Sequence, residues 1–221
     1  MFWPMKKQIC VLCESDKTEW IYKDDTRMDY KRDYHHCHEC KLIFVPPEQR
    51  LDPVEELSRY EMHENDPEDP GYRKFLNRMF KPMAERIKPE SSGLDFGSGP
   101  GPTLNLMFVE AGHTVRIYDS FYANDPSVFD EQYDFITTTE TAEHLFDPLT
   151  ELDRLWNCLK PGGYLGIMTK RHRGLGHFTD WHYKNDDTHV VFYHEDTFRW
   201  LGRRWNSEPE FLRSDVVIFG A

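Results

Sequence analysis

Four of the five cysteines fall in two identical pairs, Cys10-Val11-Leu12-Cys13 and Cys37-His38-Glu39-Cys40, with 23 residues between them. A C-x2-C pair sets two thiolates on one tight turn, and two such turns facing each other close a tetrahedral four-sulfur site for zinc. Four thiolates fill the coordination sphere, so a zinc held by Cys10, Cys13, Cys37 and Cys40 is expected to be structural. Disulfides are the competing reading, and they fit poorly with a chain whose first residues show no apolar leader. A redox C-x-x-C would call for one pair beside a βαβ unit, not two facing knuckles. His35, His36 and His38 are read as solvated neighbours of the site. Cys158, within the apolar spacing Leu152, Leu155, Trp156, Leu159, is read as a core residue.

A second group of residues suits ligand binding. Asp95-Phe96-Gly97-Ser98-Gly99-Pro100-Gly101 lies between a strand pattern and a helix pattern. Glycines there let the backbone bend sharply and approach a ligand closely. No Lys-Ser/Thr follows, so this is not a nucleotide-hydrolysing loop, and Pro102 stands where a dinucleotide fingerprint wants glycine. Asp119 closes the next strand, where an acid accepts hydrogen bonds from ribose hydroxyls. Glu140, Glu143 and His144 fall at i, i+3 and i+4, one face of a helical turn. Converging there, they would hold Mg²⁺ or another divalent ion, with a purely structural network as the alternative. The stretch from His172 to His194 is dense in His, Asp and aromatic residues. A histidine in it could take a proton from an acceptor near neutral pH, and His182 and Asp180 lead as candidate bases. Taken singly, each of these residues is more readily explained by packing.

The elements that must position these groups follow from punctuation and periodicity. After Pro46-Pro47 two helices are predicted over 53–65 and 71–87, the first opened by Asp52-Pro53. Tyr60, His63, Asn65 and Tyr72 lie on or beside these helices. Strands are expected at 94–96, 114–118, 135–138, 164–168 and 216–219, and helices at 103–111, 148–159 and 195–202. This alternation predicts an α/β, Rossmann-like sheet with helices on both faces. The divisions are a zinc-ribbon module over 1–47, a helical cap over 48–90 and a ligand-binding domain over 91–221. The ribbon has few core-forming residues (Ile9, Val11, Leu12, Ile43, Phe44 and Val45), so metal binding is expected to supply its folding energy.

The chain has 221 residues, a net charge of −12 and no apolar run long enough for a membrane span, so a cytoplasmic protein is expected. Residues 1–47 are neutral, whereas 91–221 carry −9. The largest basic cluster, Lys170-Arg171-His172-Arg173, is too short for a phosphate-binding footprint, which disfavours a nucleic-acid partner.

Leu94 to Gly101, Tyr118-Asp119, Tyr133-Asp134-Phe135-Ile136, Glu140-x-x-Glu143-His144 and Leu159-Lys160-Pro161-Gly162-Gly163 resemble, in order and spacing, the motifs of class I S-adenosylmethionine-dependent methyltransferases. The match covers roughly residues 92–220. The resemblance implies a seven-strand doubly wound sheet ending in a reversed hairpin. It also implies a cofactor set of Asp95, Gly97, Ser98, Gly99, Gly101, Asp119, Ser120 and Glu140, with the glycines near the methionine part and Asp119 on the ribose. Only 14 residues separate Asp119 from Asp134, so the third strand is expected to be missing or very short, with Phe121 or Tyr122 packing on the adenine. The E-x-x-E-H stretch further resembles the metal motif of small-RNA 2′-O-methyltransferases and ubiquinone-pathway O-methyltransferases. That likeness implies His189 as the completing ligand, with a catalytic role.

The expected function is methyl transfer from S-adenosylmethionine to a hydroxyl or amine of a small-molecule acceptor. Two rivals stay open. One is an rRNA base methyltransferase with a zinc finger; the other is a catalytically silent interaction module on the same fold. A homo-dimer is left open, and no membrane partner is expected.

Overall fold

The computed structural model describes residues 7–25, 31–62 and 65–221. His63 and the first six residues lie outside the described part. Chain order begins with β1 (Thr18–Asp24), β2 (Arg32–Cys37) and β3 (Ile43–Phe44), followed by helices α1 (Pro53–Tyr60) and α2 (Pro70–Ala84). Then come β4 (Ser92–Phe96), α3 (Leu104–Glu110), β5 (Thr114–Tyr118), β6 (Tyr133–Thr139), α4 (Pro148–Asn157) and β7 (Leu159–Met168). The last third holds α5 (Leu175–Phe178), β8 (Val191–Phe192), α6 (Glu195–Trp205), β9 (Glu210–Leu212) and β10 (Val216–Gly220).

Among the described residues the main sheet has six strands in the order β5-β4-β6-β7-β10-β9. The first four run parallel, and β10 is antiparallel to both neighbours, which gives the expected reversed hairpin. The seventh strand is absent among the described residues. Between β5 and β6 the chain makes a 3-10 turn over Pro126–Asp130, capped by the Asp125 carboxylate on Ser127 N–H. A parallel crossover alone takes a dozen or more residues, so this interval cannot hold an extra strand as well.

Local chemistry explains the helix that roofs the site. Asp52 accepts from the Val54 and Glu55 N–H groups, the Glu55 side chain reaches back to the Asp52 N–H, and Pro53 fills the first position. That capping box fixes where α1 starts and therefore where Glu56 and Tyr60 point. In α2, Leu76, Met79 and Met83 are buried in one apolar cluster with Phe108 of α3 and with Phe135 and Met168 of the sheet.

The ribbon does not fold on a core of its own. A second sheet, β1-β2-β3-β8, takes its fourth strand from the far end of the chain, with Ile43 opposite Phe192 and Phe44 opposite Val191. Cys10, Leu12, Leu42 and Phe44 belong to the same apolar cluster as Val190, Tyr193 and Phe198. Tyr34, Ile43 and Val45 pack with Phe178, Tyr183 and Phe192. Ile9, expected in the core, is 54% exposed. His35 and His36 are buried and only His38 is solvated, because β2 is the inner strand between β1 and β3. Cys158 is buried as expected. Among the described residues no helix is long and apolar enough to cross a membrane.

Candidate active site

The four ribbon thiols converge. Their sulfurs all lie within 4.8 Å of one another, with Cys10 Sγ 3.5 Å from Cys40 and Cys13 Sγ 3.4 Å from Cys37. No pair is bridged as a disulfide. Both knuckles are the same turn: Glu14 N–H donates to Cys10 C=O and Lys41 N–H to Cys37 C=O. In each, the residue after the second cysteine takes positive φ, at 56° for Glu14 and 63° for Lys41. Four convergent, mostly buried sulfurs fit a structural zinc and leave no vacant corner for chemistry.

A cavity of about 740 Å³ opens at the carboxyl ends of β4, β5 and β6, where open α/β sheets take ligands. One half is built from backbone. Gly97 and Gly99 adopt φ of 76° and 67°. A Cβ on Gly97 would meet the Thr141 side chain at 2.2 Å, and one on Gly101 would meet the Asn65 carbonyl oxygen at 1.9 Å. Thr141 O–H donates to Gly97 C=O (3.2 Å) and so buttresses the loop. Asp119 Oδ2 accepts from Gly99 N–H at 2.9 Å, and Oδ1 from the N–H groups of Phe121 (2.9 Å) and Tyr122 (3.1 Å). The carboxylate is thereby locked facing the cavity, and each oxygen has two acceptor directions, so Oδ2 keeps one for a ligand.

The other half is built from side chains. Glu143 is fully buried; Tyr183 O–H donates to its Oε1, while Oε2 has no partner. His144 Nδ1 is 3.1 Å from Thr188 C=O, and His189 Nδ1 is 2.7 Å from Tyr183 C=O. Each Nδ1 therefore carries a proton, so in the neutral ring Nε2 keeps the lone pair. Ligand atoms of Glu143, His144 and His189 lie within 4.8 Å of one another. A carboxylate with an orphaned oxygen beside two imidazoles oriented by carbonyls is a donor set for a first-row transition ion. Mg²⁺, which prefers oxygen ligands, fits it less well. Burial pushes His189 down to about 4, so the ring is neutral and ligand-competent at neutral pH. Burial, then the Glu143 charge, pushes Glu140 up to about 8. Glu140 lines the cavity with φ of 49° and an unpartnered Oε1, yet its carboxylate is not part of the three-ligand group.

The structure brings Gly97, Ser98, Gly99, Asp119, Ser120, Glu140, Glu143, His144 and His189 to one cavity. It does not bring Asp180 and His182 there. Both are exposed and absent from the lining, because the chain between α5 and β8 packs its Phe178 and Tyr183 inward and turns these polar side chains out. Asp95 and Gly101 also lie off the cavity wall. Asp95 is buried behind the loop, accepting from Thr137 O–H at 2.9 Å, and burial holds it at about 6. Gly101 gives room to the Asn65 backbone. His172 has both nitrogens engaged, Nε2 with Lys41 C=O and Nδ1 with Gly174 N–H.

Tyr60, Asn65 and Tyr72, placed by the sequence on or beside the cap helices, line the cavity, whereas Glu56, Thr141 and Asp186 had escaped the sequence. Glu56 and Tyr60 form a buried pair, Tyr60 O–H donating to Glu56 Oε1 at 2.7 Å. The Tyr60 ring stands edge-on to Phe121 and His144, spanning the two halves. The i, i+4 spacing after the capping box was the available signal for this pair. Thr141 and Asp186 carried no such signal.

Comparison with known proteins agrees with this geometry. A family model described as "Methyltransferase domain" matches residues 63–208. The ubiquinone biosynthesis O-methyltransferase of Proteus mirabilis is 30% identical over 84 residues, covering 38% of this chain and 34% of that protein. Its counterpart from Pseudomonas savastanoi pv. phaseolicola is 33% identical over 79 residues, covering 35% and 34%. The matched part thus spans about a third of the length of these curated relatives. The solved structure of Burkholderia thailandensis 1,6-didemethyltoxoflavin-N1-methyltransferase, with its substrate and S-adenosylhomocysteine bound, superposes with a TM-score of 0.52 at 14% identity. It covers 84% of this chain and 97% of that one, a likeness of fold.

Proposed function

Since the chain belongs to the methyltransferase-domain family, we propose that it transfers a methyl group from S-adenosylmethionine to a hydroxyl, or an amine, of a small-molecule acceptor. The carrying observation is that the glycine loop with its anchored Asp119 and the Glu143-His144-His189 group open onto one cavity. Gly97, Ser98 and Gly99 would hold the methionine part, Asp119 and Ser120 the ribose, and Phe121 and Tyr122 the adenine. The bound cofactor supplies an electrophilic methyl on a sulfonium that leaves as a neutral thioether. Glu143, His144 and His189 would hold a divalent ion that orients the acceptor oxygen and lowers its pKa. Glu140, whose carboxyl is raised to about 8, would take the acceptor's proton in its ionised form, which predominates above about pH 8, and Tyr60 would cover the site from α1.

The lining chemistry supports a small acceptor without phosphate. Glu56, Asp119, Glu140, Glu143 and Asp186 face the cavity, and no Lys or Arg among the described residues does. A polyanion has no counter-charge there, which counts against an RNA substrate. Hydroxyl transfer is favoured over amine by the likeness to the ubiquinone biosynthesis O-methyltransferases. We further propose a structural zinc at the four cysteines, and segments 1–47, 48–90 and 91–221 as ribbon, cap and catalytic parts. The test is release of S-adenosylhomocysteine by the zinc-loaded protein against a panel of catechols, phenols and amines, with Mn²⁺, Co²⁺, Mg²⁺ or no added ion. The expected result is turnover that Glu143→Gln removes. Turnover supported equally by Mg²⁺ and by chelated buffer would exclude the ion, and no turnover despite cofactor binding would leave a silent module.

A further inference from the structure

Asp186 and His189 reach the cavity from an irregular segment that takes its hydrogen bonds from the ribbon. Arg32, on β2, is 3% exposed. Its Nη1 donates to Asp186 C=O at 3.0 Å and its Nη2 to His189 C=O. Tyr34 O–H donates to Lys184 C=O at 3.2 Å, and the Lys184 ammonium lies 3.5 Å from Asp24 of β1. Val45 N–H donates to Val190 C=O, while Val190 N–H donates to Glu143 C=O. Then β8 joins β3. The β1–β2 pair that supplies Asp24, Arg32 and Tyr34 belongs to the stretch of chain between the two cysteine knuckles, Val45 follows the second knuckle, and Cys37 is the last residue of β2.

We propose that Arg32 is a positioning residue for the acceptor half of the cavity, and that the zinc ribbon is a working part of that half. The zinc fixes the ends of the hairpin, the hairpin fixes Arg32, and the guanidinium fork fixes the two carbonyls that set the direction of His189. The function assigned to His189 rests on the reading above; the mechanical link does not. A planar fork with two fixed donors can reach both carbonyls, whereas a single ammonium reaches one, and truncation takes the guanidinium bond from His189 C=O and leaves Asp186 C=O only the His189 N–H.

The experiment compares wild type, Arg32→Met and Arg32→Lys as full-length, zinc-loaded protein. Three quantities are read: hydrogen exchange over residues 182–192, the visible spectrum and affinity of added Co²⁺, and S-adenosylhomocysteine affinity by calorimetry. For Arg32→Met, exchange in 182–192 rises about tenfold or more and Co²⁺ binding weakens by about the same factor. Cofactor-product affinity stays within about twofold, and Arg32→Lys recovers part of the loss. Unchanged exchange and unchanged Co²⁺ spectra in Arg32→Met overturn the proposal, as does a rise in exchange spread evenly over the chain. If Arg32→Met does not fold, Arg32→Lys decides, and a lysine variant identical to wild type in both readouts is contrary. A wild type that binds no Co²⁺ sinks the ion reading alone, and the exchange arm still judges Arg32.

Discussion

The two halves of the cavity are built from different materials. The half proposed for the cofactor is main chain: two glycines at positive φ, a loop buttressed by Thr141, and a carboxylate anchored by three N–H groups within a few residues of β4 and β5. The half proposed for the acceptor is side chain: Glu56 and Tyr60 from α1, Glu143 and His144 from the turn after β6, and His189 from a segment tied to the ribbon. A half made of local turns needs only its own sheet. A half assembled from distant segments inherits the stability of whatever docks them, and here that includes a hairpin flanked by the four convergent cysteines.

The largest break in this comparison should come from the zinc. Cys37→Ser is expected to lose the metal and roughly 5 kcal/mol or more of folding free energy, read as zinc content and thermal midpoint. Below the new transition, 182–192 should exchange before the glycine loop does; equal protection of both would remove the distinction between the halves. Gly97→Ala attacks the other side, because its Cβ has no room and φ is positive. Cofactor affinity should fall about 100-fold, or about 2.7 kcal/mol, with zinc content intact. Glu143→Gln should cut turnover about 100-fold while cofactor affinity changes less than about twofold, so the effect lies in kcat.

The smallest effect is a pH dependence. Asp95 has its folded pKa raised to about 6, above the ordinary 3.8. A raised carboxyl stabilises the fold fully below its unfolded pKa and loses that contribution as pH rises through the folded value. The stability of wild type relative to Asp95→Asn should therefore fall between about pH 4 and pH 6, then level off. Chemical denaturation at several pH values measures it, and a flat difference would place the Asp95 charge in a more polar setting than its burial suggests.

The strand–loop–helix geometry of the glycine-loop half was largely legible in the sequence for the reason that makes it separate. Asp95, the glycines and Asp119 lie on a short stretch whose spacing encodes strand, turn and helix, and the missing strand could be anticipated from the short interval before Asp134. Even so, the resemblance implied Asp95 and Gly101 as part of the cofactor set, and both lie off the cavity wall, Asp95 behind the loop and Gly101 where it makes room for Asn65. The acceptor half was legible only in part. Glu143 and His144 share one turn, but choosing His189 over His182 depends on which way an irregular segment faces, and packing of Phe178 and Tyr183 against Tyr34 decides that. The ribbon's dependence on β8 was hidden for the same reason, since a two-residue strand 147 residues beyond its partner leaves no periodic trace.

The central claim, that a backbone-built cofactor half stands apart from a side-chain-built acceptor half, is tested most directly by titrating S-adenosylmethionine into wild type, Asp119→Ala and Glu143→Gln side by side in a calorimeter. The account predicts saturable binding to wild type, the same affinity for Glu143→Gln, and loss of binding for Asp119→Ala. Absence of binding to folded, zinc-loaded wild type, or equal loss in both variants, would contradict it.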